Sequence, residues 1–272
     1  MTQPRSRLWA DLTRDEIAAA ASAGVLVVIP VGATEQHAGH LPAGTDTATA
    51  GAIALRAAQR CPHPVLVAPA VPVAFSPHHG AWAGTLTLRL GTLQALLDDL
   101  TAGIARAGFT RQLIVNGHGG NRAPLAAIAA ELVCAGRRVG VVDYFAPGHA
   151  AAMALLRGRA RGVTHAGEVE TALMLALAGD DAATRDFIAA RAAGLPPRLR
   201  GRQAETPGPM ARAGAVWPSI YGPGDPGYSG DPAAATAETG DRLAEVYAEA
   251  LAGFMAEFAI ADLPAGVLSA PG

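Results

Sequence analysis

The sequence contains no lysine; all the basic charge among its 21 Lys and Arg residues is arginine. That excludes a Schiff-base lysine and a P-loop lysine together. Cysteine is nearly absent as well: Cys61 and Cys134 stand far apart, in no CxxC pattern. A disulfide framework is therefore not expected, and a reducing compartment fits. Cys134 falls in a helical stretch and reads as a small core residue. No apolar run reaches the roughly 18 residues of a spanning helix. The opening MTQPRSRLWADLT has no apolar segment followed by a small-residue cleavage site. A soluble, cytoplasmic protein is the expectation. With a net charge of -2 and pI near 6.4, nothing suggests a nucleic-acid footprint or a polybasic membrane patch. No GxSxG elbow occurs, and neither cysteine sits in an electropositive turn, so a nucleophilic Ser or Cys mechanism fits poorly.

What is present is apolar and ordered into alternating segments. Half of the 272 residues are hydrophobic, enough to bury a sizeable core. A helix from Arg14 to about Ala23 precedes a β-branched strand, Val25 to Val31. Helix follows over Asp46 to Arg60, a second strand within Pro64 to Pro69, and helix again from Leu90 to Ala107. Arg111 to Asn116 is a strand, Arg122 to Ala135 a helix, and Arg138 to Val142 a strand. This βαβαβ alternation predicts a mainly parallel sheet covered by helices, as one domain, with ligands beyond the carboxyl ends of the strands. The second half is less regular. Ala150 to Arg159 and a stretch ending near Ala178 read as helices. Gly194 to Gly230, rich in Pro and Gly and carrying Trp217, Tyr221 and Tyr228, reads as a functional loop or lid. Asp231-Pro232 resembles a capped helix start, with helix from Ala233 to about Phe258 and a frayed tail from Pro264.

Four polar clusters fall in the turns: Glu35/His37/Asp46, His78/His79, His118, and His165/Glu168/Glu170. Carboxylates that bridge and imidazoles that set affinity suit two divalent metals, with Asp46 as the natural bridge because a turn and a helix start flank it. Glu35 and His37, two apart in extended chain, point to one side. His118 lies between glycines that allow close backbone approach. If helix begins by His165, Glu168 shares its face and Glu170 points elsewhere; if it begins after Gly167, both carboxylates are presented. Glu168 is favoured as the ligand, with Glu170 as first-turn support. Of the adjacent His78 and His79, at most one faces the site.

These pieces resemble the creatininase (creatinine amidohydrolase) family: VGATEQHAGHLPAGTDT from Val31 to Thr47, GTLTL from Gly84, VNGHGGN from Val115, HAGEVET from His165 and the GDP at Gly230. The resemblance implies a single-domain, three-layer α/β/α fold and two divalent ions of Zn²⁺, Mn²⁺ or Fe²⁺. It also implies hydrolysis of a cyclic amide, formamide or other C–N bond of a small-molecule substrate, in a homohexamer. It assigns Glu35, Asp46 and His118 to one metal, His37 and bridging Asp46 to the other, and proton shuttling to His165. The family's metal-binding glutamate two residues after the turn histidine is Gly120 here. Glu168 is therefore expected to supply that carboxylate and to join His165 in catalysis, so that Glu168→Ala weakens one metal. His79, Trp82 and Trp217 are expected around the substrate. Branches sharing GHGGN and HAGExET include formamide deformylases, the peptidase of mycofactocin maturation and enzymes of sugar-derived substrates. A metal-free binding protein on the same sheet is the competing class.

Overall fold

The computed structural model describes residues 4–198 and 224–263. Trp217, Tyr221 and the tail from Pro264 lie outside the described residues. Four strands, β1 (Leu26–Val31), β2 (Val65–Val67), β3 (Gln112–Asn116) and β4 (Val139–Asp143), form one parallel sheet in the order β2-β1-β3-β4. The helices are α1 (Arg14–Ser22), α2 (Thr45–Arg60), α3 (Leu90–Arg106), α4 (Arg122–Cys134), α5 (His149–Leu155), α6 (Glu168–Leu177), α7 (Ala182–Ala192) and α8 (Ala237–Ile260).

Every residue of β1 is buried, because helices cover both faces of the sheet and an all-apolar strand has no wet side to satisfy. Leu26 and Val28 project into a core shared with α2, α5, α6 and α8. Val27, Ile29 and Val31 project the other way, against residues of α1, α3 and α4. The result is the expected three-layer α/β/α arrangement. Both cysteines are unpaired, and among the described residues no helix is long and apolar enough to cross a membrane.

Two local readings need correction. Asp231 does not cap the last helix; its carboxylate accepts from the Arg159 N–H at 2.8 Å. Pro232–Ala234 is an isolated 3-10 turn, and α8 starts at Ala237 under Thr236, whose hydroxyl accepts from the Thr239 N–H at 3.1 Å. The second is α7, which sequence reasoning passed over. Its alanines hide the apolar period, and only Ile188 and Ala192 are buried, but Asp181 marks its start by accepting from the Thr184 N–H.

The register levels the strand ends that matter. Val31 of β1 pairs with Asn116 of β3, and Asn116 with Asp143 of β4. The first turn of α2 then drops onto those ends, because Gly117 offers no side chain to hold it off. A Cβ there would stand 2.6 Å from the Asp46 carbonyl oxygen and 2.8 Å from the Ala50 Cβ. The obstacle is backbone, so Gly117→Ala must displace α2. Expected is a loss of about 2–3 kcal/mol in urea unfolding of metal-free protein, in the range for overpacking a filled interior.

Candidate metal centre

The loops that leave β1 and β3 are fixed before any side chain reaches the centre. After β1, the Glu35 N–H donates to the Ala43 carbonyl at 2.9 Å, closing the loop that returns to α2. After β3, the Asn116 amide donates to the His118 carbonyl and to Asp143 Oδ1, both at 2.7 Å, and accepts from the His118 N–H at 3.0 Å. Asn121 donates to the Gly32 carbonyl at 2.9 Å and accepts from the Phe75 N–H at 3.0 Å. It thus ties both strand ends to the segment carrying His78 and His79.

Within this frame Glu35, His37, Asp46 and His118 meet with almost no exposure. His37 Nε2 is 3.3 Å from Asp46 Oδ1. His118 places Nε2 at 3.2 Å from Glu35 Oε2 and Nδ1 at 3.0 Å from Asp46 Oδ2. Glu35 Oε1, His37 Nε2, Asp46 Oδ2 and His118 Nε2 are buried without a well-directed hydrogen bond. Buried polar atoms left in that state are costly unless something else satisfies them. Ligand atoms around one tetrahedral zinc, at roughly 2.0–2.1 Å from it, lie about 3.3 Å apart, which is the spacing seen. His37 is held for ligation, since its Nδ1 lies 3.1 Å from the Glu35 carbonyl, which can only accept. The neutral ring therefore turns an Nε2 lone pair inward. The donor set fits divalent metals, and four overlapping groups could hold one: Glu35/His37/Asp46, Glu35/His78/His118, His37/His165/Glu170 and Glu35/His79/His165.

Charge in the metal-free centre is apportioned by burial and by neighbours. Burial works against the His37 cation, but Asp46, then Glu170 and Glu35, outweigh it and hold the ring up at about 10. Burial likewise opposes the His118 cation, and Glu35 with Asp46 hold it at about 9. Asp46 stays well below the ordinary carboxylate range, because His37 and His118 overcome its burial. Burial, reinforced by Asp46, pushes Glu35 and Glu170 up to about 7. His79 falls to about 2 through burial beside His78 and His118. His165 falls well below its ordinary value through burial beside His37 and His79.

The structure thus brings Glu35, His37, Asp46, His118, His79 and His165 together and leaves Glu168 out. Both Glu168 oxygens are committed elsewhere, accepting from the N–H groups of Arg157 at 2.7 Å and Gly158 at 2.9 Å. This grip also turns the chain out of helix after α5, which ends four residues before the expected Arg159. Glu170 reaches the cluster instead, with Oε2 at 3.7 Å from His37 Nε2. Because α6 begins only at Glu168, Glu170 is its third residue, and its carboxylate reaches back to accept from the Ala166 N–H at 2.5 Å. The capping position was the signal available in the sequence. Both His78 and His79 approach, contrary to the expectation of one. His79 Nε2 lies 3.4 Å from Glu35 Oε1, and the His78 ring stacks on His118 at 5.5 Å. That stack explains Gly120: a Cβ there would meet His118 Nε2 at 2.3 Å and His78 Cε1 at 2.5 Å. Trp82 is half-buried, its N–H donating to the His79 carbonyl at 3.0 Å. Trp217 lies outside the described residues.

Carboxylates and imidazoles converging at the carboxyl ends of parallel strands, under helices on both faces, define a hydrolase of the metal-dependent α/β/α kind. Comparison with known proteins makes the class particular. The chain belongs to the creatininase family, whose profile, described as creatinine amidohydrolase, matches residues 10–255. A mycofactocin precursor peptide peptidase of Mycolicibacterium smegmatis is 33% identical over 223 residues, covering 80% of this chain and 79% of the relative. A solved structure described as a manganese creatininase superposes with a TM-score of 0.75 at 26% identity, covering 94% of this chain and all (100%) of that one. A zinc–zinc creatininase variant gives 0.74 at 25% identity, covering 94% and 100%.

Two outcomes follow for metal binding. Elemental analysis should find Glu170→Gln depleted in metal and Asp46→Ala more so. Glu168→Gln should keep its metal while losing about 2 kcal/mol of stability, as two backbone donors lose an ionic acceptor. Ligation needs neutral imidazoles. His37 and His118 hold their protons up to about 10 and about 9 respectively, so binding near neutral pH must release them. Calorimetry in buffers of different ionisation enthalpy should record that release, declining as the pH passes first the His118 value and then the His37 value.

Proposed function

We propose that this centre hydrolyses the C–N bond of a non-peptide or cyclic amide, or a formamide, in a small-molecule substrate. The observation that carries the reading is the set of buried donor atoms on Glu35, His37, Asp46 and His118 that aim at one another without hydrogen bonds. These four, with Glu170 taking the part that the sequence assigned to Glu168, would hold two divalent ions of Zn²⁺, Mn²⁺ or Fe²⁺. When bound, such ions polarise a carbonyl oxygen and make a water acidic enough to attack near neutral pH. The chain's own residues do the rest. Asp46 lies between His37 and His118 and keeps both donors on one locus. His165 has its Nδ1 at 3.3 Å from Glu35 Oε1, beside that locus, and is the group that passes a proton to the leaving nitrogen. His79 and Trp82 line the approach for the substrate, with Trp217 as a further candidate. Family resemblance extends the proposal to a cytoplasmic homo-oligomer, a hexamer, without nucleic-acid or membrane partners.

A second reading, hydrolysis of a peptide bond, is favoured by one observation: a relative matched along 79% of its length is described as a peptidase. Both readings use the same centre and differ in what the pocket admits.

The test is a panel of cyclic amides, formamides and short peptides offered to zinc- or manganese-loaded enzyme and to the same protein after chelation. Expected is turnover of an amide by the loaded form, lost on chelation and restored by metal. Turnover confined to peptides would replace the first reading with the second. Ligand binding that chelator leaves unchanged, with no turnover, would assign the fold to a binding protein.

A further inference from the structure

We infer that Arg157, Arg159 and Arg161 form an anion-recognising strip beside the centre, and that the substrate carries carboxylate groups near its scissile amide. The inference deepens the amide-hydrolase reading proposed above and rests on it for the bond that breaks. All three arginines are exposed, while Gly158 and Ala160 between them are buried. Residues that alternate in this way set their side chains on one side of the chain, here the solvent side. Among the described residues none of the three forms an ion pair, and the Arg161 Nε donates only to the Gly158 carbonyl, at 3.1 Å.

The backbone under the strip is gripped from below. Glu168 accepts from the N–H groups of Arg157 at 2.7 Å and Gly158 at 2.9 Å, and Asp231 accepts from that of Arg159 at 2.8 Å. Both carboxylates are buried, Glu168 at 1% and Asp231 at 6% exposure. They close in because residue 158 is glycine: a Cβ there would stand 2.7 Å from Glu168 Oε2 and from the Asp231 Cβ. A mere surface connection needs none of this, since water satisfies its N–H groups. Two buried carboxylates committed to three consecutive N–H groups hold the arginines in a fixed row. The same frame reaches the centre. The Thr164 hydroxyl donates to the Ser229 carbonyl at 3.0 Å, and the Ser229 N–H to the His165 carbonyl at 2.9 Å. His165 Nδ1 in turn stands 3.3 Å from Glu35 Oε1. The four-residue step from Arg161 to His165 spans at most about 14 Å, so the strip begins within that distance of His165.

A guanidinium presents a planar fork of N–H donors that a carboxylate meets with both oxygens. Three forks in a row, not converging on one point, suit separate planar anions better than one tetrahedral phosphate. The chain as a whole has a net charge of -2, so the strip is a local attraction and not a face for polyanions. The substrate class is then an amide with carboxylates beside it, carried either by a small acidic molecule or by an acidic peptide segment.

Metal-free protein labelled with ¹⁵N-arginine separates binding from turnover. The probes are N-formyl-glutamate and an acetylated tetraglutamate amide, with N-formyl-glutamine amide and acetylated tetraglutamine amide as neutral counterparts. Expected are shifts of the Arg157, Arg159 and Arg161 Nε–H signals, assigned by Arg157→Gln, Arg159→Gln and Arg161→Gln. The triple variant keeps every backbone donor in the grip and should weaken binding on the order of 10-fold. Arg106→Gln, in the last turn of α3, should leave it unchanged. Shifts with formyl-glutamate mark the small acidic amide as the source, and shifts with the peptide alone mark the acidic segment. Equal binding of the neutral counterparts, equal competition by inorganic phosphate, shifts spread over arginines elsewhere, or a triple variant that binds like wild type would each overturn the inference. Wild type with the neutral counterparts decides should the triple variant fail to fold. Absence of metal or of amide turnover would instead refute the amide-hydrolase reading, since these signals need neither.

Discussion

The centre depends on one electrostatic constraint: the Asp46 carboxylate is charged and almost wholly withdrawn from water. An isolated buried carboxylate would take up a proton, because desolvation is too costly for a bare charge. Asp46 keeps its charge through His37 on one side and His118 on the other, and its place in the first turn of α2 puts it at the positive end of that helix's dipole. Each support belongs to a different part of the chain. His37 follows β1, His118 follows β3, and α2 can reach both only because the first position after β3 is glycine. The parallel register of β1 and β3 is therefore a condition of the centre's charge state as well as of the fold.

The same constraint accounts for strain at its rim. Among the described residues, Ala38 and Ala166 are the non-glycine residues with positive φ, at 56° and 49°. Each such residue costs of order 1–2 kcal/mol. Both have their N–H held by a side chain of the centre, Ala38 by Gln36 Oε1 and Ala166 by Glu170 Oε2. The strained turns and the buried polar groups stabilise one another. A carboxylate that must be held in place finds a backbone donor, and a backbone bend that must be held finds an acceptor. His40 extends the arrangement, its Nε2 lying 3.0 Å from the Thr171 hydroxyl one residue beyond Glu170.

Much of this was legible in the sequence, for identifiable reasons. The strands were, because a strand buried on both faces reads as an unbroken β-branched run such as Val25 to Val31. Glu35, His37, Asp46 and His118 were, because polar groups crowded into the turns after such strands have few structural uses. Glu168 against Glu170 was not, because α6 begins only after Gly167, the case in which both carboxylates were open, and tertiary contacts decide: Glu168 turns to the Arg157 and Gly158 N–H groups and Glu170 to the Ala166 N–H. His78 and His79 were misjudged as alternatives. They sit in a 3-10 turn, Pro77–His79, whose tight winding splays adjacent side chains by about 120°. The cluster is wide enough to lie under both, with His78 against His118 and His79 against Glu35. Tertiary contacts of this kind leave no local mark.

On the metal reading proposed above, the carboxylate that Gly120 lacks is supplied from another direction in space as well as from another place in the sequence. A glutamate in the turn after β3 would approach the centre from the His118 side, but that volume is filled by the His78 ring stacked at an interplanar angle of 10°. Glu170 approaches from the His37 side, off the start of α6. The negative charge is kept while the wall opposite changes from an anion to an imidazole. On the metal reading proposed above, a substrate held against that wall would meet a hydrogen-bonding aromatic face where the family's turn glutamate would have stood, with the chemistry that the centre can support unchanged.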